Sequence, residues 1–394
     1  MSTSSNPPAP KGVIPALMFG NAVIGTGVMI VPGTLNDISA SLQVSVAAAG
    51  QLVSVAGLLM CFGAPLLATA VASRDRRTLL ALAMAWYGVL HLLCAAAPDF
   101  GSLLVLRALA VASPALFTPQ AAACVGLLVP AHERGRAISM VLLGWSAALV
   151  VGLPLGAWVG GHWGWRVAFS LVSALSFASA AWVWWAMPRG IKPGALPLSA
   201  WREILQSRPA VLCLLVSFLS SAGQFVVFAY LAPYLHALLQ VTPAQLGLLF
   251  AWFGSFGVIG VLVVSRHVDR LGAERAVVVC LALMALSMLV WPLGHSLAAM
   301  ALVLVPWALG TFSSNSAQQA RLAAMAPARA PASIALNTSA IYIGQATGAA
   351  IGGWLVATGR MGQLHWAALA HFLLAIAVSL GVAWRPRTAQ PTRT

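Results

Sequence analysis

Charged residues in this chain, with one exception, fall in short breaks between apolar runs of about twenty residues, the length that crosses a bilayer as a helix. Of 394 residues, 60% are hydrophobic and 7% are charged. An average soluble domain carries about 25% charged residues, so this chain has too few to cover an aqueous surface. Soluble enzymes, nucleic-acid-binding modules and disordered scaffolds are thereby excluded. The excess of 21 Lys+Arg over 7 Asp+Glu is not a nucleic-acid patch, because the bases punctuate apolar stretches instead of clustering on one wetted face. Transmembrane β-strands would alternate polar and apolar residues over about ten positions. These runs are solidly apolar, so helices are expected.

Charges and Pro/Gly breaks cut the chain into twelve spans, at 13–35, 45–73, 78–97, 101–128, 137–161, 167–187, 209–236, 243–265, 275–294, 296–320, 331–357 and 364–384. With the N-terminus inside, 18 of the 21 bases fall in cytoplasmic loops or tails. Only Arg166 and Arg360 fall outside, and Arg107 lies within the fourth span. The positive-inside rule therefore sets both ends in the cytoplasm. The expected organisation is a cytoplasmic tail at 1–12, a six-helix bundle at 13–187, a cytoplasmic linker at 188–208, a second six-helix bundle at 209–384 and a tail at 385–394.

The two bundles repeat one another. Leu42-Gln43-Val44-Ser45 follows the first span and Leu239-Gln240-Val241-Thr242 the seventh, and Gly50 and Gly57 recur as Gly247 and Gly254, every pair 197 positions apart. The breaks after the second and eighth spans are both short charged turns, RDRR around Asp75 and DRLGAER around Asp269. An internal repeat in a twelve-span protein is the mark of a transporter whose halves rock about a site near the midplane.

Several residues carry candidate mechanism. Asp75, Arg76 and Arg77, with Asp269, Arg270, Gly272 and Arg275, are positioned to anchor or gate the cytoplasmic side. Gly152, Pro154, Gly156 and Gly160 in the fifth span, and Gly344, Gly348 and Gly352 in the eleventh, place small residues on one helix face, where a neighbouring backbone can approach closely. Pro154 is expected to kink or weaken its turn. Arg107 is the one base inside a span, a costly position that marks a functional residue; Asp37, Asp99 and Gln120 are its expected partners. Polar and aromatic residues within spans outline an amide-rich, nearly uncharged cavity: Asn21, Gln51, Gln120, Trp145, Gln224, Phe225, Phe228, Tyr230, Trp252, Asn315, Gln318, Asn337, Tyr342 and Gln345. Such a cavity suits neutral or amphipathic organic molecules, though some of these groups will serve as interhelical hydrogen bonds. His91 and His371 are expected on peripheral helices, in local hydrogen bonds. The five cysteines form no CxxC pair and read as small buried hydrophobes, so neither a disulfide framework nor a metal site is expected. There is no GxxxxGK[ST], HExxH or GxSxG string, hence no signature of ATP use or hydrolysis, and no cofactor is expected.

Taken together, GAPLLATAVASRDRR, GLPLGAWVGGHWGWRVAF and SIALNTSAIYIGQATGAAIGG make the chain resemble the major facilitator superfamily over nearly its whole length. More narrowly it resembles the bacterial drug:proton antiporter group, in the branch with arabinose- and purine-nucleoside-efflux-like permeases. The resemblance implies an all-α inner-membrane protein of twelve helices in two pseudo-symmetric bundles, exporting a small organic compound by alternating access in exchange for protons and working as a monomer. It further implies that the fifth-span GxPxG segment accompanies export, that Arg107 takes part in proton coupling and that the loops around Asp75 and Asp269 are inner gates. Related first spans often carry a Glu near the centre where this chain has Val28; Asp37, at the outer end, is the only first-span acid and the second coupling candidate. A proton-independent facilitator, an importer and a transport-dead receptor share the same layout. The orientation is directly testable: green fluorescent protein fused to Thr394 will fluoresce and alkaline phosphatase inserted after Gly164 will be active, and the reverse pair of signals would invert the topology.

Overall fold

The computed structural model describes residues 12–71, 74–130, 133–192, 198–325 and 329–383. Among these, every regular element is helical: α1 (Val13–Ser41), α2 (Val46–Ala70), α3 (Arg76–Ala95), α4 (Phe100–Ala110), α5 (Ala112–Leu128), α6 (Arg134–Ala147), α7 (Leu153–Trp163), α8 (Trp165–Ala186), α9 (Leu198–Gln206), α10 (Arg208–Phe228), α11 (Leu231–Leu239), α12 (Pro243–Leu271), α13 (Ala273–Leu289), α14 (Leu297–Met325), α15 (Ala330–Ala357) and α16 (Leu364–Ala383). Ten segments are long and apolar enough to cross a membrane, and α2 and α13 complete the expected twelve spans. Large apolar side chains such as Trp185, Leu248 and Leu302 face outward, as a lipid-facing surface requires. The tails at 1–11 and 384–394 lie outside the described residues.

Proline explains where spans are interrupted. Its ring clashes with the carbonyl four residues back and its nitrogen cannot donate. Pro114 and Pro233 fall four residues after Ala110 and Ala229, and there the fourth and seventh spans divide into α4–α5 and α10–α11. Pro154 has the expected effect in another form: the fifth span widens into a π-turn over Ala148–Gly152 between α6 and α7. The repeat is visible in the backbone, since Gln43 and Gln240 adopt the same left-handed conformation, with φ 52° and 50°.

Glycines decide how the spans pack. Gly152, Gly156 and Gly160 lie against Thr26, Ile30 and Thr34 of α1, and Gly344, Gly348 and Gly352 against the Phe218, Ala222 and Val226 carbonyls of α10. Both stripes therefore pack inside their own set of six spans. The seams between the two sets use other glycines. Gly57 of α2 meets the Tyr342 carbonyl and Ala346 of α15; Gly161 of α7 meets Pro243 of α12, Gly247 meets the Pro154 carbonyl, and Gly254 meets Leu149 in the π-turn. These approaches run from the middle of the spans to their outer ends, so the extracellular half is closed. Replacing Gly348 with alanine would drive a Cβ into the Ala222 carbonyl oxygen. It is expected to cost about 1–3 kcal/mol, read as a lower unfolding temperature in detergent; Gly362→Ala, whose Cβ would meet open space, is the matched control.

Candidate functional site

Arg107 is built into the interior by three neighbouring spans. It stands near the C-terminus of α4 and is 4% exposed. Its Nη1 donates to the Gly27 carbonyl of α1 at 3.1 Å and to His91 Nε2 of α3 at 3.2 Å, and its guanidinium lies 5.7 Å from the Phe169 ring of α8. Guanidinium cannot accept a hydrogen bond and a carbonyl cannot donate one. His91 therefore carries its proton on Nδ1, which donates to the Tyr87 carbonyl at 2.9 Å, and accepts at Nε2, so the ring is neutral. The Tyr87 hydroxyl donates to the Ile24 carbonyl at 3.2 Å. Gly27 permits this arrangement because a Cβ there would lie 2.9 Å from His91 Nε2 and would also overlap the Tyr87 hydroxyl.

None of the partners expected for Arg107 is the one found. Asp37 lies ten residues beyond Gly27, about 15 Å along the helix, and Asp99 instead caps α4 by accepting from the Ser102 backbone N–H at 2.9 Å. As expected, His91 stands on a peripheral helix, whose outer face exposes Leu82, Trp86 and Leu92, and makes a local hydrogen bond to the Tyr87 carbonyl; its ring, however, turns inward and is fully buried at the α1–α3–α4 junction. Its signal was available, since Tyr87 and His91 are one helical turn apart and share the face that meets Gly27.

Arg107 opens onto a midplane cleft. Tyr87, Ala110, Val111 and Pro114 from the first six spans line it with Arg107, and Phe225 and Gln345 line it from the last six. The cleft is narrow, with a volume of about 20 Å³, room for roughly one water. Of the fourteen expected cavity residues, Phe225 and Gln345 reach it.

Most of the others are placed differently. Asn21 donates to the Val141 carbonyl at 3.1 Å and accepts from Thr118 at 2.7 Å, and Trp145 Nε1 lies 3.4 Å from the same threonine hydroxyl. Ser217 donates to Asn337 Oδ1, and Asn337 Nδ2 donates to Asn315 Oδ1 at 3.2 Å; Gln318 donates to the Cys213 carbonyl. These are two equivalent ties, linking spans one, four and five and spans seven, ten and eleven. Thr118 and Asn315 are 197 positions apart, a correspondence hidden because threonine and asparagine do not look alike in sequence. Phe228 is packed in an aromatic core with Phe225, Phe250, Phe253 and Trp307, and Tyr230 is buried with its hydroxyl on the Ala349 carbonyl at 3.0 Å. Trp252 faces outward, bonded to the Ala301 carbonyl at 2.9 Å, because it stands about 140° around α12 from Gly247, which faces the seam. Gln51 is exposed, Gln120 is buried, and Gln224 and Tyr342 are half-buried.

A second pocket, of about 150 Å³, lies at the outer seam and is lined by Asn36, Asp37, Gly161, His236 and Pro243. At the cytoplasmic side Asp75 caps α3 by accepting from the Arg77 and Thr78 backbone N–H groups at 3.0 and 3.3 Å, and also from that of Gly190. Burial opposes its charge, but those N–H groups and Lys192 outweigh it and hold the carboxyl below the usual range. Arg76 turns back onto the Val71 and Arg74 carbonyls at 2.7 and 3.0 Å, and Arg77 stacks 4.6 Å over Trp184. All these partners of the first loop lie within the first six spans and the start of the linker. Gly272 joins α12 to α13 at φ 80°, with Arg270 and Arg275 exposed; the Asp269 side chain lies outside the described residues.

The profile of the Major Facilitator Superfamily matches residues 17–239 and again residues 213–394. The chain belongs to this superfamily. It is a multi-pass inner-membrane transporter, not an enzyme, acting on a small molecule. It is 30% identical to the chloramphenicol resistance protein of Streptomyces lividans, over 96% of this chain and 97% of that one. It is 28% identical to the inner membrane transport protein YdhP of Escherichia coli strain K12, over 87% and 88%. In fold it is similar to a bacterial homologue of the human lysosomal transporter Spinster, with TM-score 0.74 and 16% identity over 95% and 98% of the chains. It is equally similar to the D-xylose-proton symporter, with TM-score 0.74 and 17% identity over 93% and 96%.

His91→Phe keeps an aromatic ring but removes the acceptor at Nε2, leaving a buried charged donor short of a partner. The expected cost is about 1–3 kcal/mol, measured by thermal unfolding of purified protein. No loss would show that His91 only fills space.

Proposed function

We propose that this transporter exports a small, mostly neutral or amphipathic organic compound by alternating access, acting as a monomer and exchanging it for protons. The observation that carries this reading is the midplane cleft: residues of both sets of six spans wall it, its one charge is Arg107, and glycine seams close it from the outside. In this cycle residues 13–187 and 209–384 move as two bodies about the linker at 188–208. Gly161, Gly247 and Gly254 are the surfaces that part when the outer side opens. Asp75 and Asp269 close the cytoplasmic side in the opposite state. Asp37, beside His236 in the outer pocket, takes the incoming proton, and Arg107 couples its passage to transport. Export is supported by the relative named for chloramphenicol resistance and by the GxPxG segment of the fifth span.

A second reading, uniport, is favoured by a single observation: among the described residues Arg107 makes no ion pair with a carboxylate. Expression in a pump-deficient host across a broad susceptibility panel, chloramphenicol included, identifies a cargo. Everted vesicles energised with a proton gradient then separate the mechanisms. Antiport predicts that adding the cargo discharges the gradient and that Asp37→Asn abolishes this discharge. Cargo flux without any proton movement would leave uniport, and no compound distinguishing expressing from control cells would favour a receptor.

A further inference from the structure

Arg107 is a buried cation with no carboxylate partner among the described residues. Its two side-chain and backbone acceptors, His91 and the Gly27 carbonyl, are both neutral, and its Nε has no hydrogen-bond partner among the described residues. The seven acids of the chain are Asp37, Asp75, Asp99, Glu133, Glu203, Asp269 and Glu274, and every one stands in a loop or at the end of a span. A buried charge without a counter-charge is expensive, and lipid offers no relief. Yet the guanidinium is not sealed off. It lines the midplane cleft, where the other polar groups are the Tyr87 hydroxyl and the Gln345 amide and the remaining walls are apolar or aromatic.

We propose that the missing counter-charge is the cargo: as the two sets of spans part and widen the cleft beyond its present room for one water, the anionic group of an amphipathic organic acid seats against Arg107, with Phe225 and the apolar walls taking its hydrocarbon part. The inference rests on the exporter reading and narrows its cargo away from the neutral end of the range. A cation is repelled by Arg107 and by the chain's net positive charge. A neutral amide reaches the same donors without supplying the charge. The free transporter keeps Arg107 in place with neutral acceptors, so an anion can displace water at the guanidinium without first breaking an ion pair. A buried aspartate in the same position would compete with it.

Two matched series probe the charge at constant shape: indole-3-acetate, indole-3-acetamide and tryptamine, and 1-naphthaleneacetate, 1-naphthaleneacetamide and 1-naphthaleneethylamine. Binding to the purified full chain in detergent is measured by isothermal titration at pH 7. In at least one series the acid is expected to bind ten-fold or more tightly than its amide, with the amine weakest. The preference is lost in Arg107→Gln and kept in Arg107→Lys. Gln345→Leu, which leaves the supports of Arg107 untouched, is expected to weaken acid binding several-fold, and it locates the site even if Arg107→Gln does not fold. The proposal is overturned if amide or amine matches the acid in both series, if neither acid binds at millimolar concentration, or if Gln345→Leu leaves acid binding unchanged. Because no transport is measured, these results stand apart from the exporter reading: cargo efflux together with indifference to charge would remove this inference alone.

Discussion

Helices in a bilayer cannot be driven together by hiding apolar surface, since lipid is as apolar as leucine. What holds this protein together is close approach of backbone to backbone, and that depends on glycine. The stripes of the fifth and eleventh spans bring them against the first and seventh, giving each set of six spans a rigid central pair. The polar ties through Thr118 and Asn315, in the cytoplasmic half of the spans, add a fourth and a tenth span to those pairs. The same device, with different glycines, makes the seams between the sets. There glycines meet carbonyls, at Gly57, Gly247 and Gly254, and side chains, as Gly161 meets Pro243 and Gly50 meets Tyr230.

Into this frame Arg107 is set at the junction of α1, α3 and α4. It is held by neutral groups, and its position depends on Gly27 as much as on any charge. The fourth span breaks at Val111 because of Pro114, one helical turn from the arginine. A charge, a helix discontinuity and the cleft thus coincide, so a change of charge at the guanidinium acts where the backbone is weakest. Asp37 and His236 lie at the outer seam between α1, α7, α11 and α12.

Much of this was legible in the chain itself. Twelve spans, both ends inside and the repeat at 197 positions follow from apolar length, loop charge and paired motifs, all local properties. The glycine stripes and the consequence of Pro154 were readable for the same reason, as periodicity and a missing donor act within one helix. The site was legible only in part. Arg107 stood out because charge in a span is costly, and Phe225 and Gln345 reach the cleft. Asn21, Asn315, Gln318 and Asn337 carry the same polar signal, but the structure uses it to tie helices to each other. Trp252 points to lipid, and His91, on a helix that the sequence places at the periphery, turns its ring inward to Arg107.

The sequence by itself determined that the chain crosses the membrane as paired sets of helices, which way it faces, and which single base is buried. Each of these is set by the transfer of residues between water and hydrocarbon, a cost paid position by position. Only the tertiary structure decided what Arg107 touches, which amides join helices and which meet the cleft, and which glycines form the seams between the two sets of spans. Those outcomes depend on the rotation of each helix about its axis. Rotation is chosen by neighbours far away in sequence, and nothing within a single apolar span records it.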